Sequence, residues 1–327
     1  MYENFYRLNG IPFQLTPDTR FFFGSSSHSR AISHLVYGLE QQEGFIVITG
    51  EVGAGKTTLV EQLWSQLDRR TYVLGRVVTT QVSGDDLLRL IVTSYGIEDR
   101  GADKATLLRR FEKMVREQRA QGRRCLLVVD EVQNLSVAAL EELRMLSNIT
   151  VDSRASVQTI LLGQPQFRPM LAGHELEQLR QRVLASYHLG PLTEDETRSY
   201  VEHRLRRVGW DDDPHWQESA FSGVFHHSGG IPRRVNTLCT RILLYGALEE
   251  SHEISAEMVE TIATELDRDV GSGGIAPPPP GEGQLLNGAG SEALLRRIAA
   301  LEHGVARQDR IFRRLIELLG GYQAGHR

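Results

Sequence analysis

The sequence has no long apolar run, no pattern typical of a secretory leader and only two cysteines. No apolar run approaches the roughly 20 residues needed to cross a bilayer, and the N-terminal segment lacks the positive-then-apolar order of a secretory signal. The two cysteines, Cys125 and Cys239, lie in apolar surroundings without metal-type spacing. This favours buried free thiols and a reducing compartment. We therefore expect a cytoplasmic protein without a transmembrane span.

Positive charge is also limited. The formal net charge of -5 argues against a protein whose main task is to coat nucleic acid. Among the 37 cationic residues, only Lys56, Lys104 and Lys113 are lysine. With 40% hydrophobic and 24% charged residues, the composition is that of an ordinary globular protein. Lys56, which lies in a glycine-rich stretch, is thus not explained by a general abundance of lysine.

Strand and helix patterns alternate through the first part of the chain. Continuous or β-branched apolar runs predict strands at 45–49, 71–78, 124–130, 156–163 and 186–189. Helical spacing of apolar residues, including Ile32, Leu35, Val36 and Leu39, predicts helices at 29–40, 57–67, 84–96, 105–122, 136–148 and 175–186. Such alternation indicates an α/β fold with a doubly wound, mostly parallel sheet.

The remaining segments differ in composition. Residues 1–28 are aromatic and proline-containing, which predicts an ordered loop followed by a short strand or extended piece. After the α/β domain at 29–190 the strand signal stops, and residues 191–268 predict a small helical domain. Residues 269–290 are rich in Gly and Pro and predict a linker. The last segment, 291–327, contains a predicted amphipathic or coiled-coil helix over about 291–319.

The stretch "VITGEVGAGKTTLVEQL" carries the strongest motif in the chain. It contains Gly50-x-x-x-x-Gly55-Lys56-Thr57 between a predicted buried strand and a predicted helix. Glycines allow the backbone N–H groups to converge on an anion, and the start of the helix adds its positive end. We expect Lys56 to reach the β- and γ-phosphates of ATP, and the Thr57 hydroxyl to ligate Mg²⁺. A chance glycine-rich turn is the alternative.

A pair of acidic residues ends the strand predicted at 124–130. Asp130 lies where a ligand of Mg²⁺ or its water belongs, and Glu131 can polarise a water for attack on the γ-phosphate. An acidic pair at a strand end can also be only a helix N-cap. Its combination with the phosphate loop favours the catalytic interpretation.

Three further polar positions have weaker support. Gln164, at the end of the next strand, could sense the γ-phosphate, although Gly-Gln-Pro also makes a good turn. Arg180 or Arg182 could reach the γ-phosphate of a neighbouring subunit, although solvated helix arginines are common. Arg233, at the start of a helix in the second domain, could place a cation on the nucleotide, with a solvated helix start as the alternative.

Together these motifs resemble those of the AAA+ ATPases. Their order along the chain is similar to that in the helicase-loader and Holliday-junction-motor branches. More narrowly, the chain resembles the general secretion pathway protein A (ExeA) ATPases, and most of all their subgroup associated with exosortase and PEP-CTERM loci and with exopolysaccharide export. The resemblance covers about residues 1–268 and is carried by "FYRLNGIPFQLTPDTRFFF", "LVYGLEQQEGFIVITGEVGAGKTTL", "VDEVQNL", "LEELRMLSN", "LLGQPQF", "LEQLRQRV" and "GGIPRRVNTLC".

The resemblance implies roles for individual residues. It implies a nucleotide loop made of Gly50, Glu51, Val52, Gly53, Ala54, Gly55, Lys56, Thr57 and Thr58. It implies metal-water and catalytic acid positions at Asp130 and Glu131 and a first sensor at Gln164. It also implies an arginine finger at Arg180 or Arg182 and a second sensor at Arg233. Directly after the acidic pair the family commonly has Ala-Gln-Asn, whereas this chain has Val132 in place of the alanine.

The tail differs from the secretion proteins, in which a transmembrane segment and a peptidoglycan-binding part follow the ATPase. Here a heptad-like seam follows, which is made of Leu294, Ile298, Leu301, Val305, Gln308, Phe312, Leu315 and Leu319. Self-association, docking on a partner, contact with a membrane surface and folding back on the ATPase domain are all compatible with it. We favour association with itself or with a partner of the inner membrane or envelope.

The leading hypothesis is an ATP hydrolase that forms a homo-oligomer and acts on an envelope-associated assembly, in the cytoplasm or peripheral to the inner membrane. One alternative is a DNA-binding regulatory ATPase of the transposition kind. The net charge, and the lack of a helix-turn-helix pattern or a basic tail, weigh against it. Another is a nucleotide-gated scaffold with negligible turnover, against which Glu131 weighs.

Overall fold

A computed structural model describes most of the chain. The described residues are 2–16, 18–78, 84–151 and 154–271. The chain divides into two units, of which the first is compact and comprises Met1–Ala247 and Ser251–Thr264, whereas Leu248–Glu250 and the described residues from Glu265 belong to the second. The sheet and the site described below belong to the first unit. Beyond residue 271, the predicted linker and the helix predicted over 291–319 lie outside the described residues.

A five-stranded, all-parallel sheet forms the centre of the first unit. Its strands are β1 Phe45–Gly50, β2 Tyr72–Val78, β3 Arg124–Asp130, β4 Val157–Gly163 and β5 Val183–Leu189. They lie in the order β2-β3-β4-β1-β5. In register, Val129 pairs with Leu161 and Thr49 with Gly163. The carboxyl ends of β1, β3 and β4 therefore lie side by side at one edge of the sheet.

Helices cover the sheet and continue after it. Within the described residues they are α1 Tyr2–Phe5, α2 Ser26–Gln41, α3 Lys56–Gln66, α4 Gly84–Ser94, α5 Lys104–Ala120, α6 Val137–Leu146, α7 Phe167–Ala172, α8 Glu177–Arg180, α9 Glu194–Arg206, α10 Glu218–Ser228, α11 Pro232–Leu248 and α12 Ala256–Gly271. In the part of the chain described here, none of them has the length and apolar character that a membrane span requires.

Strand β1 has six buried residues, as a strand covered on both faces should. Phe45 and Val47 belong to a core shared with α4, α5 and α6, whereas Ile46 and Ile48 belong to a core shared with α2 and α3. The predicted α/β fold with a parallel sheet between two helical layers is thus confirmed. Both cysteines are buried and free, as predicted, and burial raises the pKa of the Cys125 thiol to about 12.

The segment before the last strand was predicted incorrectly. The sequence predicted one helix over 175–186 and a strand only from Ser186, but α8 ends at Arg180 and β5 begins at Val183. Pairing explains the difference, since Val183 lies beside Phe45, and the Phe45 N–H donates to the carbonyl oxygen of Arg182 at 2.9 Å. Pairing of this segment with β1 therefore outweighs the helical spacing of apolar residues in "RQRVLAS".

The N-terminal segment also differs from the expectation. It contains two short helical pieces that were not predicted, α1 at Tyr2–Phe5 and a 3-10 turn at Thr19–Phe21, and Phe22 after that turn is extended. Helix α2 starts earlier than predicted, because the Ser25 hydroxyl accepts a hydrogen bond from the His28 N–H and caps the helix there. Val36, predicted to lie on the apolar face, is 42% exposed. Helix α7 at Phe167–Ala172 was not predicted.

The helical part after the sheet matches the prediction except for one short pairing. His215–Trp216 and Glu253–Ile254 form a two-residue parallel pair, although no strand was predicted after Pro191. Helix α9 begins with a capping box, in which the Thr193 and Glu196 side chains each accept a hydrogen bond from the other residue's backbone N–H. Helix α12 runs to Gly271, three residues beyond the predicted helical domain.

Candidate nucleotide-binding site

The loop between β1 and α3 uses its glycines in two different ways. Gly53 and Gly55 have φ angles of +84° and +96°, which glycine adopts without strain. Gly50 is required for close approach instead, because a Cβ there would lie 2.7 Å from the carbonyl oxygen of Leu189 on β5. The loop is therefore held in its bend by backbone geometry and by the neighbouring strand.

Lys56 is the first residue of α3 and is only 6% exposed. Its Nζ donates hydrogen bonds to the carbonyl oxygens of Gly50 at 2.8 Å and of Glu51 at 3.0 Å. Burial lowers the pKa of the ammonium group, whereas Glu131, Asp130 and Glu51 oppose that shift. The lysine is thus fixed inside the loop with acidic groups nearby.

Asp130 ends β3 and is 4% exposed. Its Oδ2 accepts a hydrogen bond from the Thr57 hydroxyl at 2.8 Å. The guanidinium of Arg76 on β2 lies 3.9 Å from the same oxygen and also pairs with Glu61 at 3.0 Å. The two residues that the sequence predicted as magnesium ligands therefore lie in direct contact. Arg76 was not predicted, since nothing in the sequence shows which residues neighbour the end of β3.

Glu131 follows Asp130 in a left-handed conformation, with φ of 54°. Its backbone N–H donates to Asp130 Oδ1 at 3.0 Å. Its Oε2 accepts hydrogen bonds from two side-chain amides, Gln133 Nε2 at 2.5 Å and Gln164 Nε2 at 3.0 Å. The predicted catalytic acid is thus held by the predicted sensor and by Gln133, which sequence reasoning missed.

A cavity of about 220 Å³ opens beside the loop. Of the predicted residues, it is lined by Val52, Gly53, Gly55, Lys56, Thr57, Thr58, Glu131 and Arg233. Gly50, Glu51, Ala54, Asp130 and Gln164 adjoin these residues without lining it. The N-terminal segment and helices α9 and α11 supply most of the opposite wall.

Arg233 lies against the phosphate loop. Its backbone N–H donates to the Gly53 carbonyl at 3.2 Å, and a Cβ on Gly53 would lie 2.3 Å from the Arg233 Cβ. The start of α11 therefore packs directly on the loop, which requires glycine at position 53. The side chain of Arg233 is exposed and lines the cavity.

Arg180 and Arg182 lie elsewhere. Arg182 precedes β5 and so lies near the amino end of β1, at the sheet edge opposite the phosphate loop. Its Nη1 donates to the Ser147 hydroxyl at 2.9 Å. Arg180 is exposed, with Nη1 3.4 Å from the Ala172 carbonyl oxygen. Neither arginine lines the cavity of its own chain.

Several residues of the cavity wall were not anticipated. The Arg204 guanidinium lies 4.9 Å from the centre of the Phe21 ring and 5.4 Å from that of Tyr200, whose hydroxyl donates to Asn236 Oδ1 at 2.8 Å. These residues come from distant parts of the chain, and neither spacing nor composition shows that they meet. They tie the N-terminal segment to the helical domain at the cavity.

His28 lies against Gly55 of the loop and also lines the cavity. It is 6% exposed, its Nδ1 lies 2.7 Å from the Ser25 hydroxyl, and a Cβ on Gly55 would lie 2.9 Å from its Nε2. Burial lowers its pKa to about 4, against a smaller opposing effect of Glu196 and a backbone hydrogen bond with Ala54. The imidazole is therefore neutral at physiological pH.

The donor set fits a magnesium nucleotide. Within the residues that the structure describes, no group of three or more His, Cys, Asp or Glu side chains could hold a metal ion by itself. Mg²⁺ commonly uses one or two protein oxygens together with phosphates and water. The adjacent Thr57 hydroxyl and Asp130 carboxylate supply that kind of partial site beside the loop.

Known proteins resemble the part of the chain that holds these residues. Residues 39–171, which include the phosphate loop, the acidic pair and Gln164, match the AAA domain family. This part of the chain is thus similar to an AAA domain, over less than half of the chain's length. The α/β P-loop fold places the predicted nucleotide loop and the acidic pair at one edge of the sheet.

The chain is also similar along most of its length to the general secretion pathway protein A of Aeromonas hydrophila. The two are 34% identical over 275 residues, which is 83% of this chain and 50% of that protein. The chain thus spans about half the length of this relative. The shared region is longer than the part of the chain that matches the AAA domain family, which supports the resemblance seen in the sequence.

Solved structures share the fold of this chain. Cdc6p from Pyrobaculum aerophilum superposes with a TM-score of 0.62 at 15% identity, covering 84% of this chain and 74% of that one. A structure of Drosophila ORC bound to DNA superposes with a TM-score of 0.56 at 14% identity, covering 83% and 67%. At these identities the likeness shows the fold alone.

Proposed function

We propose that the protein binds and hydrolyses ATP, and that the cavity beside the phosphate loop holds the nucleotide. The observation that carries this proposal is the arrangement at one sheet edge: buried Lys56 inside a glycine-shaped loop, the Thr57–Asp130 pair beside it, and Glu131 at the cavity wall. A binding switch without turnover would not need a carboxylate held in that position.

Each residue has a distinct task in this mechanism. The ammonium group of Lys56 and the start of α3 bind the phosphates of ATP. Thr57 and Asp130 would hold Mg²⁺, which, when bound, neutralises charge on the phosphates. Glu131 orients and deprotonates the attacking water, Gln164 after the end of β4 holds the Glu131 carboxylate, and Arg233 contacts the nucleotide from the start of α11.

The arginines before β5 act on a neighbouring subunit in this proposal. Arg182 lies at the sheet edge opposite the loop, and Arg180 does not line the cavity, so neither arginine is suited to the nucleotide of its own chain. Arg180 is the more accessible of the two, since Arg182 is bonded to Ser147. We therefore assign the finger to Arg180, and turnover then depends on homo-oligomer formation.

The biological setting follows from the relative and from the resemblance. Similarity to general secretion pathway protein A supports a role in an envelope-associated secretion assembly. The resemblance seen in the sequence extends the proposal to exopolysaccharide export or to PEP-CTERM sorting with exosortase. The segment from 291 would dock on the membrane-side partner. Finding exosortase or polysaccharide-export genes beside this one would support the setting, and finding transposase genes would favour the DNA-binding alternative instead.

The activity is tested by phosphate release from Mg·ATP, measured with the wild type and with Glu131→Gln. The amide keeps the size of the carboxylate but cannot accept the proton, so turnover should fall about 10²- to 10⁴-fold while the dissociation constant for Mg·ATP stays within about twofold. Glu117→Gln, on the exposed surface of α5, is the matched control. Turnover of Glu131→Gln at the wild-type rate would refute the mechanism.

A further inference from the structure

The turn after β3 contains a side chain that joins two strand ends. Gln133 lies in a 3-10 turn, Val132–Asn134, that directly follows the left-handed Glu131. Its Nε2 donates to Glu131 Oε2 at 2.5 Å, and its Oε1 accepts the Gln164 backbone N–H at 2.9 Å. One amide thus contacts both the acid after β3 and the residue after β4.

The backbone around Gln133 brings these groups close together. A Cβ at Gly163, the last residue of β4, would lie 2.9 Å from Val132 Cγ2 and 3.1 Å from the Phe167 Cβ. Glycine therefore lets the end of β4 approach the turn, so that a single glutamine side chain can span the gap. The left-handed conformation of Glu131 turns the chain so that residue 133 faces β4.

The two amides restrain the same carboxylate oxygen. Gln133 Nε2 and Gln164 Nε2 both donate to Glu131 Oε2, and Gln133 also fixes the backbone from which the Gln164 side chain extends. A carboxylate held by two donors loses much of its rotational freedom. A general base must meet its water in a narrow range of positions, and misplacement by about 1 Å can cost about 10²-fold in rate.

We infer that Gln133 is a positioning residue for ATP hydrolysis: its amide holds the Glu131 carboxylate and the end of β4 together, so that the acid and the sensor act in fixed relation. This inference rests on the proposed function. Gln133 does not line the nucleotide cavity, so it acts through Glu131 and Gln164 and not by contact with the substrate. Turnover should depend on its amide, while nucleotide binding should not.

Two substitutions separate the amide from the bulk of the side chain. Gln133→Ala removes both hydrogen bonds. Gln133→Glu keeps the size and the oxygen that accepts the Gln164 N–H, but it loses the donor and places a second carboxylate beside Glu131. Both variants should lower kcat about 10- to 100-fold and leave the dissociation constant for Mg·ATP within about twofold. Asn134→Ala, an exposed neighbour in the same turn, should match the wild type.

A double-mutant cycle decides whether Gln133 acts through Glu131. In a Glu131→Gln background, Gln133→Ala should change the residual rate by less than about twofold, because the carboxylate that it positions is gone. Unchanged kcat in Gln133→Ala, full activity in Gln133→Glu, or an undiminished effect in the Glu131→Gln background overturns the inference. If Gln133→Ala fails to fold, the near-isosteric Gln133→Glu and its own cycle with Glu131→Gln carry the test.

The same assay keeps this inference separate from the proposed function. A wild type that releases no phosphate, or a Glu131→Gln variant as active as the wild type, contradicts the proposed function itself. An active wild type, an inactive Glu131→Gln and a fully active Gln133→Ala contradict only the role of Gln133.

Discussion

The hydroxyl of Thr57 donates a 2.8 Å hydrogen bond to Oδ2 of Asp130, although 73 positions separate the two residues in the chain. Thr57 lies at the start of the helix after β1, and Asp130 at the end of β3, with β4 between these strands. The parallel sheet therefore brings a hydroxyl and a carboxylate oxygen together at the point where the phosphate loop ends.

The contact between Thr57 and Asp130 predicts that the effect of replacing Thr57 on ATP binding depends on magnesium. Thr57→Ala should weaken binding of ATP about tenfold or more in the presence of Mg²⁺, because one metal ligand is lost. It should change binding little when EDTA removes the metal. Equilibrium titration of a fluorescent ATP analogue under both conditions measures the difference. Thr261→Ala, in which only a hydrogen bond within α12 is lost, is the control; an equal loss with and without magnesium would contradict the assignment.

The contact between the loop and α11 predicts a steric effect at Gly53. Gly53→Ala forces a Cβ to 2.3 Å from the Arg233 Cβ at a φ of +84°. Gly122→Ala is a matched control, since Gly122 has a φ of +76° but open space around it. The control should lose about 1 kcal/mol from left-handed strain alone, and Gly53→Ala about 1–3 kcal/mol more. Thermal unfolding measures both, and equal losses would show that the close approach does not matter.

His28 predicts how stability changes with pH. Its pKa is about 4 in the folded state, against the ordinary 6.5. Between these values the unfolded chain binds a proton at this residue and the folded chain does not, so the free energy of unfolding falls as the pH drops from 6.5 towards 4. The full effect is about 3 kcal/mol.

Replacing the imidazole tests that effect. His28→Gln carries no titratable group, so its melting temperature should depend less steeply on pH between 6.5 and 4 than that of the wild type. His34→Gln, at an exposed position on the same helix, should keep the wild-type slope. Parallel curves for the wild type and His28→Gln would mean that the buried imidazole does not carry the dependence.

An arginine that acts on the neighbouring subunit predicts complementation. Arg180→Ala should bind Mg·ATP normally but lower turnover by about 10³-fold, the usual effect of losing such a finger. Lys56→Ala should fail to bind Mg·ATP at the concentration used, but it retains Arg180. Mixing the two inactive variants should restore measurable phosphate release, since one supplies the loop and the other the finger. A mixture as inactive as its components would contradict action between subunits; a parallel mixture with Arg182→Ala tests the other candidate.

The sequence predicted the α/β architecture because its signals are local. The β-branched run of β1, the glycine spacing of the loop and the acidic end of β3 each lie within a few residues, and their order along the chain implies one sheet edge. The prediction failed at β5, where "RQRVLAS" suits a helix by itself and becomes a strand only beside Phe45.

Parts of the site could not be predicted, because they depend on contacts between residues that lie far apart in the chain. Arg204, Tyr200 and His28 reach the cavity from α9 and α2, and only the packed structure shows that they meet. Gln133 is different, because its position two residues after Glu131 is visible in the sequence. Its importance depends on the left-handed turn and on Gly163, which the sequence does not reveal.

Binding of Mg·ATP to the loop is the claim on which the rest depends. Its most direct test is an equilibrium titration of the full chain with Mg·ATP, in parallel with Lys56→Ala and with Lys113→Ala, whose side chain is 79% exposed on α5. The wild type and Lys113→Ala should bind one nucleotide per chain with equal affinity, and Lys56→Ala should bind at least about 100-fold more weakly. No saturable binding by the wild type, or equal binding by Lys56→Ala, would contradict the account.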